Sequence, residues 1–179
     1  MNWRAFLAST SLALLLSGCA GMNLHTAKPL SAKQDGGAWA VLPFVNNTET
    51  PMANARAAAM AAGVLQSDGL QLRGNLPIST RTEALLGGDW KKEYASALRA
   101  ARSDGTRYAL GGSVDEWDYR AGINAEPEVA MTLWVVDVAS DRVIWSGVGS
   151  AHGGSLGRGG TGTVGQRLIQ RLLKRALDR

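Results

Sequence analysis

The sequence predicts a single α/β domain over residues 38–179, a mixed β-sheet of about five strands flanked by about three helices. Three observations carry this reading. Strand-like runs follow one another at 108–120, 128–138 and 142–150. Amphipathic helical stripes precede them and another closes the chain. The composition, 45% hydrophobic and 19% charged over 179 residues, is that of a globular domain. One Cys and two His exclude an intrachain disulfide framework and a Cys- or His-rich metal centre, and nothing in the sequence calls for a cofactor.

The first strand is Trp39-Ala-Val-Leu-Pro-Phe-Val45, an apolar run bounded by Gly36-Gly37 and Asn46-Asn47. Pro43 places it near an edge or a bulge, because proline cannot donate to a ladder. Thr50-Pro51 predicts an N-cap and first helical residue. The stripe Ala53, Ala57, Met60, Ala61, Val64 and Leu65 follows, and Gly69 or Gly74 stops it. A short strand is expected at 77–80. A second helix at 91–102 turns Tyr94, Ala97, Leu98 and Ala101 inward and ends before Gly105. The polar stretch Val138-Ala-Ser-Asp-Arg142 predicts a tight hairpin between the last two strands. Thr161 or Thr163 is expected to cap a final helix reaching Leu177, with Val164, Leu168, Leu172, Leu173 and Ala176 opposite Arg167, Arg171, Lys174 and Arg175.

The amino terminus has a different character. Arg4 is followed by an apolar stretch at 5–16, too short for a permanent span, which ends in Leu16-Ser17-Gly18-Cys19. Small residues before a cut site fit the narrow pocket of a signal peptidase. The segment resembles a bacterial lipoprotein box, with the chain's single Cys at the one position that chemistry needs. The resemblance implies a signal peptide at 1–18, thioether lipidation of Cys19 and acylation of its new amine. The alternative is an ordinary secretory peptide with an incidental Cys. Ala20-Gly21 carries no Asp behind the Cys, so lipoprotein sorting rules imply the outer membrane, at its periplasmic face. Residues 19–37 read as a lipidated tether with little periodicity.

The motif Trp39 to Pro51, followed by an Ala-rich helix, is similar to the opening of envelope lipoproteins related to CsgG and the TolB N-terminal domain. Gly111-Gly-Ser-Val-Asp-Glu-Trp-Asp-Tyr119, Glu126-Pro-Glu-Val129, Val136-Asp-Val-Ala-Ser140 and Val143-Ile-Trp-Ser146 resemble the PelC family, outer-membrane lipoproteins of Pel exopolysaccharide export. The resemblance implies a non-enzymatic role. The family forms a homo-oligomeric ring, a dodecamer, which works with a PelB-like porin and passes a cationic, partly de-N-acetylated amino-sugar polymer through an electronegative funnel.

The charges bear on this independently. The net +4 and pI near 9.6 first suggest nucleic acid. They conceal two opposed regions: seven acids and one base at 115–141, seven bases and one acid at 142–179. Nucleic acid is therefore not expected as a partner. An acidic lumen repeated around a ring would focus its field on a polycation, with Glu116 and Asp118 as lead residues and Asp115 beside them. Strict alternation puts Asp115, Trp117 and Tyr119 on one face and Glu116, Asp118 and Arg120 on the other. Acidic groups on solvated strand ends are the ordinary alternative. Arg120 suits a neighbouring subunit's carboxylate or an internal ion pair. The basic closing helix suits a neighbour or lipid headgroups.

Trp145, next to the hairpin and ahead of a Gly-rich stretch, is the candidate for contact with outer-membrane lipid, and a core or interface position is the alternative. Trp39 is expected in the core. Gly160-Thr-Gly-Thr-Val-Gly165 fits the dinucleotide fingerprint only formally, because no strand and acid follow it. An envelope adaptor of the CsgG or LpoB type, binding a protein partner, stays open. It lacks support from any insertion long enough for transmembrane hairpins or from a Pro-rich tether.

Overall fold

The computed structural model describes residues 21–31, 36–74, 89–120, 125–153 and 159–178. Cys19 and the expected strand at 77–80 lie outside the described residues. In chain order the elements are β1 (Met22–Thr26), β2 (Trp39–Val41), β3 (Val45–Asn46), α1 (Ala53–Ser67), α2 (Trp90–Ser103), β4 (Tyr108–Tyr119), β5 (Pro127–Asp137), β6 (Arg142–His152) and α3 (Thr161–Ala176).

The sheet is mixed, as predicted, with the order β1-β6-β5-β4-β2. β4, β5 and β6 form an antiparallel meander, while β2 and β3 run parallel to β4 at one edge. Pro43 acts as expected: it lies on this edge, between the two short strands that share β4 as partner.

Among the described residues the sheet has six strands: β1 comes from the expected tether, and the expected first strand divides into β2 and β3. β1 pairs antiparallel with the free edge of β6, Met22 opposite Ala151 and Thr26 opposite Gly147. Five residues give too little periodicity to be read from sequence; their order comes from the ladder and from Leu24, which packs on the core. Beyond β1 the Leu30 N–H donates to the carbonyl of Ala176 at 2.7 Å, tying this segment to the end of α3. Residues 22–26, within the expected tether, are thus part of the sheet.

Two helix starts also differ from expectation. The Thr50 hydroxyl donates to the Trp117 carbonyl at 2.7 Å instead of capping, and α1 begins behind Met52, whose φ is 61°. α3 begins behind Gly160 with no side-chain cap, and both threonines lie inside the helix. In α2 the Asp89 carboxylate accepts the N–H groups of Lys91 and Lys92.

The main core lies between one sheet face and the pair α1 and α3, where Leu65, Leu168, Ile169 and Leu172 meet Leu110, Met131, Leu133 and Val135. Gly165 admits a close approach of α3 to the sheet: a Cβ there would sit 2.6 Å from the Trp117 ring. Among the described residues the opposite face is covered only at one end, where Leu98 and Ala101 of α2 pack over Ala109, Val136 and Val138. Along β4 and β5 beyond that cover, no described element lies over the face.

Candidate functional site: an acidic cleft beside a β-bulge

The site begins as a fault in strand alternation. Val114 of β4 pairs with Met131 and Glu116 with Ala130, leaving Asp115 as an extra, unpaired residue. Val114 and Trp117, three residues apart, are thereby both buried against the helices. Regular alternation would have sent them to opposite faces.

Asp115 goes the other way. Its carboxylate accepts from the Asn47 side-chain amide at 2.8 Å, from the Ser113 hydroxyl at 3.1 Å and from the Thr132 hydroxyl at 3.4 Å. Thr132 lies on the open face, between Ala130 and Trp134 on β5. The expectation that Asp115 shares a face with Trp117 is thus corrected: the bulge moves it beside Glu116 and Asp118.

A shallow depression of about 360 Å³ results. Glu49, Asp115, Glu116, Asp118 and Glu128 line it, with Arg120 as its one cation among the described residues. Arg120 makes two hydrogen bonds of 2.6 Å to the two carboxylate oxygens of Glu128. The Glu128 carboxyl is held below its usual range by that hydrogen bond, against the opposing effect of burial. Arg120 is therefore engaged within its own chain, the internal ion pair that the sequence left open beside the intersubunit one. Asp118 accepts the Tyr119 N–H at 2.7 Å, and Glu116 accepts no hydrogen bond among the described residues. Three exposed carboxylates, at 49, 116 and 118, form no salt bridge among the described residues, and Arg120 lies near enough to Glu116 to feel its charge.

No protein-family model and no curated protein matches the sequence. Among solved structures, the chain is similar to the PelC dodecamer from Paraburkholderia phytofirmans at 30% identity and TM-score 0.67, over 87% of this chain and 96% of that one. A variant of that protein, also a dodecamer, matches at 31% identity and TM-score 0.66, over 86% and 97%. This chain belongs to the PelC family. Lipoprotein GNA1162 from Neisseria meningitidis, at 18% identity and TM-score 0.52 over 77% and 99%, shares the fold alone.

On this PelC-family scaffold the expected site residues separate. The fold brings Asp115, Glu116, Asp118 and Arg120 into one cleft. Trp145 is not among them and is not a surface residue: it is 1% exposed, within the main core. It pairs with Val135 on the helix-covered face, and Gly147 leaves room for its ring, so the membrane-contact expectation is corrected to packing. The apolar groups exposed on that strand are Val143, Ile144 and Val148. Trp39 is fully buried, as expected.

Sequence reading missed Glu49 and the pairing role of Glu128. The sequence signal for Glu49 was the polar turn Asn47-Thr-Glu-Thr50, which β3 delivers to the end of β4 by parallel pairing. Among the described residues no three His, Cys, Asp or Glu side chains converge as a metal site requires, and no helix is long and apolar enough to cross a membrane.

Proposed function

We propose that this chain is a non-enzymatic subunit of an exopolysaccharide-export ring, anchored through a lipidated Cys19 at the periplasmic face of the outer membrane. In this reading it guides a cationic amino-sugar polymer toward a porin of the PelB kind. The acidic cleft carries the proposal. Its exposed carboxylates, which outnumber the arginine beside them, offer several weak contacts for protonated amines, which attract a chain and still let it move on. Repetition of the cleft around a closed ring would strengthen the field that any one subunit provides. The dodecameric state of the Paraburkholderia relative supports a ring, and Val143, Ile144 and Val148 supply exposed apolar surface for contact between copies.

The test is secretion. Glu116→Ala with Asp118→Ala should lower exported polymer several-fold while the protein folds, localises and keeps the oligomeric mass of the parent. Both residues are exposed, so the change acts on charge and leaves the core alone. Undiminished export by the double variant would remove the cleft from the polymer path. A strictly monomeric parent at high concentration would remove the ring.

A further inference from the structure

A second charged surface lies on the opposite flank of the sheet. β1 and α3 enclose a groove of about 920 Å³, with Met22 and Leu24 on one wall and Arg167, Arg171, Lys174 and Arg175 on the other. The single acid in its lining is Asp178. All four bases are exposed, and none forms an ion pair among the described residues.

Their spacing is unfavourable for the helix alone. Arg167 with Arg171, and Arg171 with Arg175, are like charges four residues apart, and such pairs repel across one turn. The helix dipole accounts for Lys174 and Arg175, which occupy the last turn. It does not account for Arg167 in the second turn. A stripe of cations held together against repulsion, beside an apolar wall, has the chemistry of a surface for an amphipathic anion: phosphate on the bases, hydrocarbon on Met22 and Leu24.

Position in the chain selects the source of that anion. Met22 stands three residues after Cys19, and three extended residues reach at most about 10 Å. We infer that the β1–α3 groove binds the headgroups of anionic phospholipid, so that this flank of the domain lies against the bilayer. This rests on the lipid-anchor reading of the proposed function, and it adds the face that meets the membrane and the residues that make the contact.

The experiment uses the full mature chain carrying Cys19→Ser, which removes acylation, with vesicles of phosphatidylcholine alone or containing 30% phosphatidylglycerol. Binding is expected only to the anionic vesicles, and to fall steeply with salt. Each base near an anionic surface contributes about fivefold in affinity, so Arg171→Glu with Lys174→Glu should weaken binding by about twentyfold or more. Circular dichroism and oligomeric mass should remain those of the parent.

Equal binding to neutral vesicles, or full affinity in the double variant, would overturn the inference. So would loss of the oligomer with unchanged vesicle affinity, which would assign the groove to a neighbouring subunit. Displacement by inorganic phosphate far beyond that by chloride at equal ionic strength would assign it to free phosphate. The anchor is read separately, from the mass of the native protein extracted from membranes. An unmodified Cys19 with anionic-vesicle binding intact would overturn the anchor and uphold the groove.

Discussion

The acidic cleft and the basic groove are built by different means. In the cleft, charge is placed by backbone irregularity: one extra residue in β4 turns Asp115 outward while Val114 and Trp117 both stay in the core. Hydrogen bonds from Asn47, Ser113 and Thr132 then fix that carboxylate. In the groove, charge is placed by helical periodicity alone, and the four basic side chains are held by no ion pair among the described residues. One surface is embedded in the packing and the other is laid over it. Changes to the buried residues beneath the first, Val114 and Trp117, should therefore disturb the fold, whereas changes at the second should alter only what the surface attracts.

The strongest way to break this contrast is Trp117→Ala. The ring is 2% exposed and faces Gly165 of α3, so its removal should destabilise the domain by about 3–5 kcal/mol, measured by urea unfolding. A loss below about 1 kcal/mol would mean that the bulge is not anchored by this side chain.

A smaller effect is expected for Arg120→Ala, and its pH dependence distinguishes the ion pair from packing. The folded-state pKa of Glu128 is depressed, so the pair's stabilisation is present in full above the ordinary glutamate range. It is lost as the pH falls through the lowered value. The parent should exceed the variant in stability at neutral pH, and the two unfolding curves should converge in acid. A gap that persists unchanged to low pH would point to lost packing of the arginine stem instead.

The smallest effect belongs to the groove. Arg171→Gln with Lys174→Gln should leave thermal stability within about 0.5 kcal/mol of the parent, because both side chains are exposed on α3. A clear destabilisation would show that the basic stripe is part of the packing, and the contrast between the two surfaces would fail.

The same contrast explains what could be read in advance. The three long strands, the inward stripe of α2 and the basic face of α3 follow from periodicity, and the structure keeps all of them. Glu116, Asp118 and Arg120 were legible as charges on one strand. The face of Asp115 was not, because a bulge inserts one residue without altering local composition. Trp145 misled for a related reason: a tryptophan beside a turn and glycines suits a membrane surface, yet Gly147 makes space for that ring in the interior. β1 was invisible because its order is supplied by β6, far along the chain.

That last pairing bears on how the domain is assembled. The meander β4-β5-β6 joins neighbours in sequence and can close its ladders as soon as its hairpins form. β1 emerges first from the ribosome and must wait for a partner at 147–151, which emerges near the end. Its ladder closes the longest loop of any strand pairing among the described residues, so it is expected to be the slowest ladder to form. Until then β6 presents a bare edge, and an interrupted or truncated chain would expose that edge to pairing with other chains. The amino-terminal strand is thus the clasp of the sheet, made first and fastened last.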